Sequence, residues 1–503
     1  MGGTIRRVPD AVRARAEHSP DAVAHDDTSR IITFADWHRE ADEVGGGLAA
    51  AGVRPGDRVL LPITNRHATH FAVAFMAVLR AGGICVPLNT RLSRDETSDY
   101  AELVGASWAI TDGPEQIRHL NLSDTWTVDE MPREPASLPD QDALDAEGPA
   151  DIIGTSGTTG RTKGVVNNHA EMVLGFGDGT ATNPSKSLLH ALPFTGFGGC
   201  HAVMLLPLRI GSRVITQPSF DAEGFLELIQ EKRPDSLQLV PAMLRLLIDH
   251  SRARDYDTSS VKWIFTGTAP LPHDTVERLI ALWPRPRLIN QYGMSEGGPG
   301  AATRSREAVL KPGSVGKVAN REAVEIRDEA GRVLPDGEAG EIWSRNQRTR
   351  RYWNDPEATA ATWQDGWLNT GDIGYFDADG DMILTGRSKD LIIRGGYNIA
   401  PLEIEDALHA HPAVAEAAVV GVSHEVLGED VAAAVVLRPG ANATAEELYS
   451  WCVERLADNK VPRTIVFVDA LPYNQNAKVV KNELRPILER AAAERASTRT
   501  RDA

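Results

Sequence analysis

Three cysteines, Cys85, Cys200 and Cys452, stand in 503 residues. They form no Cys-x-x-Cys pair, which argues against a zinc ribbon or a disulfide framework and fits a reducing compartment. Long hydrophobic runs are missing as well. The longest, Phe71 to Leu79, stops at Arg80. It is far short of the roughly 20 residues that cross a bilayer and reads as a buried helix. The opening segment, MGGTIRRVPDAVRARAEHSPD, lacks the apolar core of a secretory signal. Positive charge is in deficit, with 53 Lys and Arg against 70 Asp and Glu and a net charge of -17. That balance excludes a nucleic-acid surface or a polybasic membrane patch. It leaves room for a phosphate ligand, which needs only a local nest of donors. No internal repeat is present. The expectation is a soluble, cytoplasmic chain of two or more domains.

The pattern along the chain is mixed α/β. Arg58-Val-Leu-Leu-Pro62 and Gly83-Ile-Cys-Val-Pro-Leu88 read as buried strands flanking the Phe71–Leu79 helix. That order is βαβ and predicts a largely parallel sheet. Residues 131–150, rich in Pro, Asp and Ala, read as a surface connection. Ser236-Leu-Gln-Leu-Val240 and Val261-Lys-Trp-Ile-Phe-Thr266 read as further strands. Residues 313–385 change character, with short runs between turns such as Pro335-Asp-Gly-Glu338, and predict an antiparallel β subdomain. A last α/β block follows Lys389, with Ile404 and Leu408 on one helix face. Its Thr444-Ala-Glu-Glu447 opens another helix as a capping box.

The densest motif is Ile153-Gly-Thr-Ser-Gly-Thr-Thr-Gly-Arg-Thr-Lys-Gly164, with four glycines and five Ser/Thr hydroxyls. Glycines let several backbone N–H groups face one anion, and Lys163 adds charge. Alone it reads as a phosphate cradle or as a flexible linker; it is not a Walker A loop, because Lys163 is followed by Gly164. TSGTTGRTKG resembles the phosphate loop of the adenylate-forming superfamily: acyl-CoA synthetases, luciferases and the adenylation domains of peptide synthetases. The family's other motifs follow in order, and the resemblance spans roughly residues 10 to 490, closest to acyl- or aryl-CoA ligases.

The resemblance implies a large N-terminal core over 1–387, made of stacked, mostly parallel αβ sheets plus the β subdomain. A hinge at 388–390 and a small mobile α/β domain at 391–503 would follow. It implies that Thr155, Ser156, Gly157, Thr158, Thr159, Gly160 and Lys163 hold phosphates. Gly267-Thr268-Ala269, matching a GGAPL turn with Thr268 in place of glycine, would lie along adenine and substrate. In Asn290-Gln291-Tyr292-Gly293-Met294-Ser295-Glu296, Tyr292 would pack on adenine, Ser295 bond the α-phosphate and Glu296 hold Mg²⁺. A hard cation suits an oxygen ligand. Asp372 of the Thr-Gly-Asp motif would accept from both ribose hydroxyls, with Arg387 as second ribose contact. Lys389 occupies the hinge position, Gly395 and Gly396 would line a coenzyme A tunnel, and Lys478 would be the adenylation lysine. Ala477 stands where the family has glycine.

One segment departs from the family. In His190-Ala-Leu-Pro-Phe194-Thr-Gly196-Phe197-Gly-Gly-Cys200-His201, Gly196 takes the place of an aromatic or His gate before the acyl pocket. Phe194, Phe197, His201 and Met294 would line that pocket, or the first three simply pack a βα junction. The segment holds no Asp, which disfavours an α-amino acid substrate. Arg351-Tyr-Trp also departs from the usual Gly-Tyr-Trp. The leading expectation is ATP- and Mg²⁺-dependent activation of a carboxylic acid as acyl-AMP, then thioester formation with coenzyme A. Three alternatives stay open: transfer to an amine or carrier protein, adenylation of a small acid such as nitrite, and a non-catalytic nucleotide binder. The oligomeric state is open, a homodimer included.

Overall fold

A computed structural model of the chain describes residues 5–156, 162–174, 176–177, 187–303, 309–345, 350–473 and 479–501. Its elements start where local chemistry starts them. The helices Phe34–Ala51, Arg94–Val104 and Ala445–Val453 each open on a reciprocal capping box, Thr33 with Asp36, Ser93 with Glu96 and Thr444 with Glu447. The apolar run becomes the helix Ala68–Arg80, buried almost all round. Arg80 is buried with it, and its charge is met by Asp42 at 2.8 Å.

Among the described residues the strands form three sheets, of fourteen, seven and five strands. The seven-stranded sheet confirms the βαβ expectation: Arg58–Leu61 and Ile84–Pro87 pair in parallel on either side of the helix in the chain. Pro149–Ser156 continues that sheet beside Ile84–Pro87. It pairs antiparallel with Thr162–Asn168, which in turn pairs with the short strand Arg351–Tyr352.

In the fourteen-stranded sheet Ser187–His190, Ser236–Leu239, Trp263–Gly267 and Arg287–Met294 lie parallel. The strands from Gly297–Ala302 onward are antiparallel, as expected for 313–385. They are not detached from the parallel part. Hydrogen bonding runs unbroken through Ser314–Val318 into the pair Trp367–Phe376 and Met382–Arg387. The chain then makes one tight turn, Ser388–Asp390, and enters the five-stranded sheet at Ile392–Arg394. That sheet is built on the hairpin Val414–His424 and Gly428–Leu437, with Ile404, Leu408 and Leu448 in its core. The connection at 131–150 is not wholly free on the surface: the backbone at Pro132 and Glu134 rests directly on Gly47 and Gly46.

The small C-terminal unit is bound to the large one by ion pairs. Arg245 lies 2.5 Å from Glu416, which also accepts from the Tyr473 hydroxyl at 2.8 Å. Arg438 donates to Asp274 at 3.0 Å. Among the described residues no helix is long and apolar enough to cross a membrane.

Candidate active site

Three pieces of the site come from three strand ends. The first is the stem of the Gly/Thr-rich loop. Thr155 stands opposite Lys163 and Ser156 opposite Thr162 in an antiparallel pair. Gly157, Thr158, Thr159 and Gly160 lie outside the described residues. The Lys163 ammonium sits 4.8 Å from the centroid of the Tyr352 ring, a distance at which the ring face attracts a cation.

The second piece is the turn after Arg287–Met294. The Tyr352 hydroxyl donates to Glu296 Oε1 at 3.0 Å. Burial, with Glu296 beside it, pushes the Tyr352 phenol well above its ordinary value, so it stays a donor. Arg350 donates to the Ser295 carbonyl, and its guanidinium stands 5.1 Å from the Phe197 ring centroid. Arg350 and Tyr352 alternate along one extended stretch and reach successive residues of one turn. The sequence reading missed both. The faint signal was a basic and an aromatic residue two apart, the period of a strand.

The third piece is the pair of strands that carries Asp372 and Arg387. These residues face one another in register. Arg387 Nε donates to Asp372 Oδ1 at 2.8 Å, and the Tyr292 hydroxyl donates to Oδ2 at 2.6 Å. Burial opposes the charge on Arg387, and Asp372 more than offsets it, holding the guanidinium above its ordinary value. Burial and the neighbouring Asp372 push the Tyr292 phenol far up. An ionised carboxylate has about four acceptor positions, so both Asp372 oxygens keep capacity for a further donor.

The remaining predicted residues divide. Gly267 is packed so that a Cβ there would meet the Gln291 carbonyl oxygen at 2.4 Å, so only glycine fits the approach of the two strands. Thr268 adopts φ 71°. The threonine thus holds a left-handed backbone, which glycine adopts freely and which is strained for a β-branched residue. Ala269, Gly293 and Met294 flank these turns; Gln291 is exposed. Asn290 is buried, and its side-chain amide donates to the Ser314 carbonyl at 3.0 Å inside the sheet.

Phe194 takes the packing alternative. It is 1% exposed and enclosed by His25, Phe71 and His190. The Phe197 and His201 rings lie 4.6 Å apart, tilted by 43°, where Phe197 leads into the π-helix Gly198–Met204, and the Gly196 carbonyl accepts the Cys200 N–H at 2.8 Å. The segment itself holds no Asp, as read from the sequence, but a carboxylate reaches it from another element. Asp151, from the strand that leads into the Gly/Thr-rich loop, reaches His201 Nε2 at 2.5 Å. Sequence reading missed it because the two residues lie on different elements.

Lys389 lies in the turn between the sheets, and burial lowers its ammonium below the ordinary lysine value. Gly395 and Gly396 are exposed at the tip of the Ile392–Arg394 and Tyr397–Ile399 hairpin. Lys478 and Ala477 lie outside the described residues. Lys481, three positions on, pairs with Glu405 at 2.7 Å.

Two mixed α/β units joined by one turn, with these three pieces at the strand ends, match a known family. The chain belongs to the AMP-binding enzyme family: the family model matches residues 12–353, and that of the AMP-binding enzyme C-terminal domain matches residues 403–478. Feruloyl-CoA synthase of an Amycolatopsis species is 34% identical over 485 residues, covering 94% of this chain and 97% of that one. A 2-succinylbenzoate–CoA ligase of Bacillus cereus is 33% identical over 493 residues, covering 96% and 99%. The solved amide bond synthetase McbA of Marinactinospora thermotolerans superposes with a TM-score of 0.82 at 27% identity, covering 95% of this chain and 99% of that one.

Proposed function

We propose that the protein activates a carboxylic acid with ATP as its acyl-AMP, releases pyrophosphate, and passes the acyl group to coenzyme A. The observation that carries this reading is the joint placement of the phosphate-loop stem and the Ser295–Glu296 turn around Tyr352. Lys163 stands over its ring and Glu296 accepts its hydroxyl. The Asp372–Arg387–Tyr292 cluster supplies a matching hold for a ribose.

In the first half-reaction an acid oxygen attacks the α-phosphorus and pyrophosphate leaves in line. Positioning and charge stabilisation carry such a step. The loop from Thr155 to Gly160, with Lys163, holds the departing phosphates. Ser295 orients the α-phosphate, and Asp372 and Arg387 fix the sugar. Glu296 fits Mg²⁺: it offers a hard carboxylate, and among the described residues only Oε1 is engaged by protein. The ion would offset phosphate charge. Lys478 approaches the α-phosphate from the small domain.

In the second half-reaction the small domain, residues 391–503, swings about 388–390 with Lys389 as pivot. Gly395 and Gly396 then line the path of the coenzyme A thiol. Its sulfur attacks the acyl carbonyl, and AMP leaves. The acyl group lies against the 194–201 segment and Met294.

A pyrophosphate-release screen of aliphatic, aromatic and inorganic acids, each with and without coenzyme A, tests this reading. Pyrophosphate with an organic acid, and AMP plus thioester when coenzyme A is added, is the expected result. ATP turnover that needs no organic acid would overturn it. The likeness to McbA favours one second reading, transfer to an amine; an amide formed equally well without coenzyme A would select it.

A further inference from the structure

The gate segment hides a polar pair that the adenylation reading does not use. Asp151 is fully buried, four residues before Thr155. Its Oδ1 accepts from Asn167 Nδ2 at 2.7 Å and its Oδ2 faces His201 Nε2 at 2.5 Å. A lone buried carboxylate costs several kcal/mol, so these two partners are what make it tolerable. The contact leaves His201 Nε2 facing Asp151 and fixes the ring's orientation by an anchor behind it.

A metal is the first alternative, since Asp151, Cys200 and His201 place ligand atoms within 4.8 Å of one another. The contact geometry excludes it as drawn. Ligands about 2.0–2.2 Å from one tetrahedral ion stand more than about 3 Å apart, whereas Nε2 and Oδ2 are in direct hydrogen-bond contact. Burial also pushes the Cys200 thiol well up, away from the thiolate that a metal needs.

What the pair does instead is present the other side of the ring. Among the described residues His201 Nδ1 has no hydrogen-bond partner. One helical turn back, Phe197 lies between His201 and Arg350, which holds the Ser295 carbonyl. Phe197 thus links the Ser295 turn to His201, and both rings belong to the segment that the adenylation reading assigns to the acyl group. Two glycines of the neighbouring turns face open space: a Cβ at Gly293 would meet nothing within 4 Å, and one at Gly198 would meet only Thr268, at 3.9 Å. The turn itself is a π-helix from Gly198 to Met204, a rare form that recurs at functional sites. It is pressed so close that a Cβ at Gly199 would lie 2.0 Å from the Pro193 carbonyl oxygen.

We propose that His201, oriented by Asp151, is a specificity-determining residue that hydrogen-bonds a hydroxyl carried by the acid remote from its carboxylate. A hydroxyl both donates and accepts, so it suits Nδ1 whether or not that atom carries a proton. The inference rests on the adenylation reading and on its placement of the acyl group.

The test compares kcat/KM for matched acids with and without a distal hydroxyl: 4-hydroxybenzoate against benzoate, 4-hydroxycinnamate against cinnamate, and an ω-hydroxy fatty acid against its parent. The hydroxylated member of the accepted pair is expected to lead by at least about tenfold, the worth of one buried hydrogen bond. His201→Leu is expected to bring that ratio to within about threefold with KM for ATP unchanged. If the variant does not fold, Asp151→Asn replaces it: the ratio falls, and the His201 ring nitrogens shift in ¹H–¹⁵N spectra. A ratio that survives either folded variant, or a wild type that turns over both acids without preference, overturns this inference alone. No turnover of any acid overturns the adenylation reading and the inference with it.

Discussion

Tyr352 stands between two charged residues, its hydroxyl 3.0 Å from Glu296 Oε1 and its ring centroid 4.8 Å from Lys163 Nζ, at what we propose is the nucleotide end of the site. Tyr352→Phe deletes one hydrogen bond to a carboxylate and keeps the ring. Such a bond is worth about 1.5–3 kcal/mol. The expected result is a fall in kcat/KM for ATP of about 10- to 100-fold, with a higher Mg²⁺ concentration for half-maximal rate. Calorimetric binding of Mn²⁺–ATP gives a readout independent of turnover. Unchanged metal dependence would remove Tyr352 from the positioning of Glu296.

Thr268 carries strain at the substrate turn, with φ 71° on a β-branched residue. Left-handed backbone costs a non-glycine residue about 1–2 kcal/mol, part of which glycine returns through its freer unfolded chain. Thr268→Gly is therefore expected to stabilise the protein by about 0.5–1 kcal/mol in thermal or urea unfolding. A destabilised variant would mean that the threonine side chain contributes more than its backbone costs.

The junction of the two units predicts a split between the half-reactions. Arg245–Glu416 and Arg438–Asp274 hold the units in the present arrangement, and the proposed swing of the small domain would break them. Arg245→Ala is expected to slow acid-dependent pyrophosphate release several-fold while leaving thioester formation from preformed acyl-AMP within about twofold. Partly exposed pairs contribute about 1 kcal/mol or less, which sets that scale. Equal losses in both halves would contradict a role in orienting the small domain.

His409 lies at the same junction, 8% exposed. Burial, with Arg245 and Arg438 nearby, pushes its imidazole down to about 3 from an ordinary 6.5. Between those values the unfolded chain binds the extra proton, so stability is fully present above pH 6.5 and falls as the pH falls toward 3. At pH 5 this group alone accounts for about 2 kcal/mol. His409→Gln should shrink the stability lost between pH 7 and pH 5 by about that amount, read by urea unfolding at both values. An identical loss in the variant would show that other groups carry the acid sensitivity.

Much of the architecture was legible because it is local. The apolar run at Phe71, the capping boxes and the Ile404–Leu408 face each declare themselves within a turn or two of chain. The Gly/Thr-rich loop stands out in the sequence for another reason: an anion cradle needs glycines and hydroxyls in one short stretch. What stayed hidden depends on pairing across the fold. Asp151 heads an apolar strand and looks like a turn residue until His201 arrives fifty positions later. Tyr352 ends a strand of two residues and Arg350 stands just before it, a stretch that offers one step of a strand's period and no more. Asn290 belongs to a matching motif, yet its amide holds the Ser314 carbonyl, a partner that no local pattern names.

Lys311 draws together Asp377, Asp379 and Asp381 at 2.6, 2.7 and 2.8 Å. Those carboxylates form the tip of the hairpin whose mouth is closed by Asp372 and Arg387. A hairpin tied at both ends resists bending along its length. If the small domain swings about Lys389 as proposed, the motion starts two residues from Arg387, at the tied mouth of this hairpin. The proposed grip on the nucleotide's sugar and the angle of the small domain would then be coupled through one lever, and loosening either end would be felt at the other.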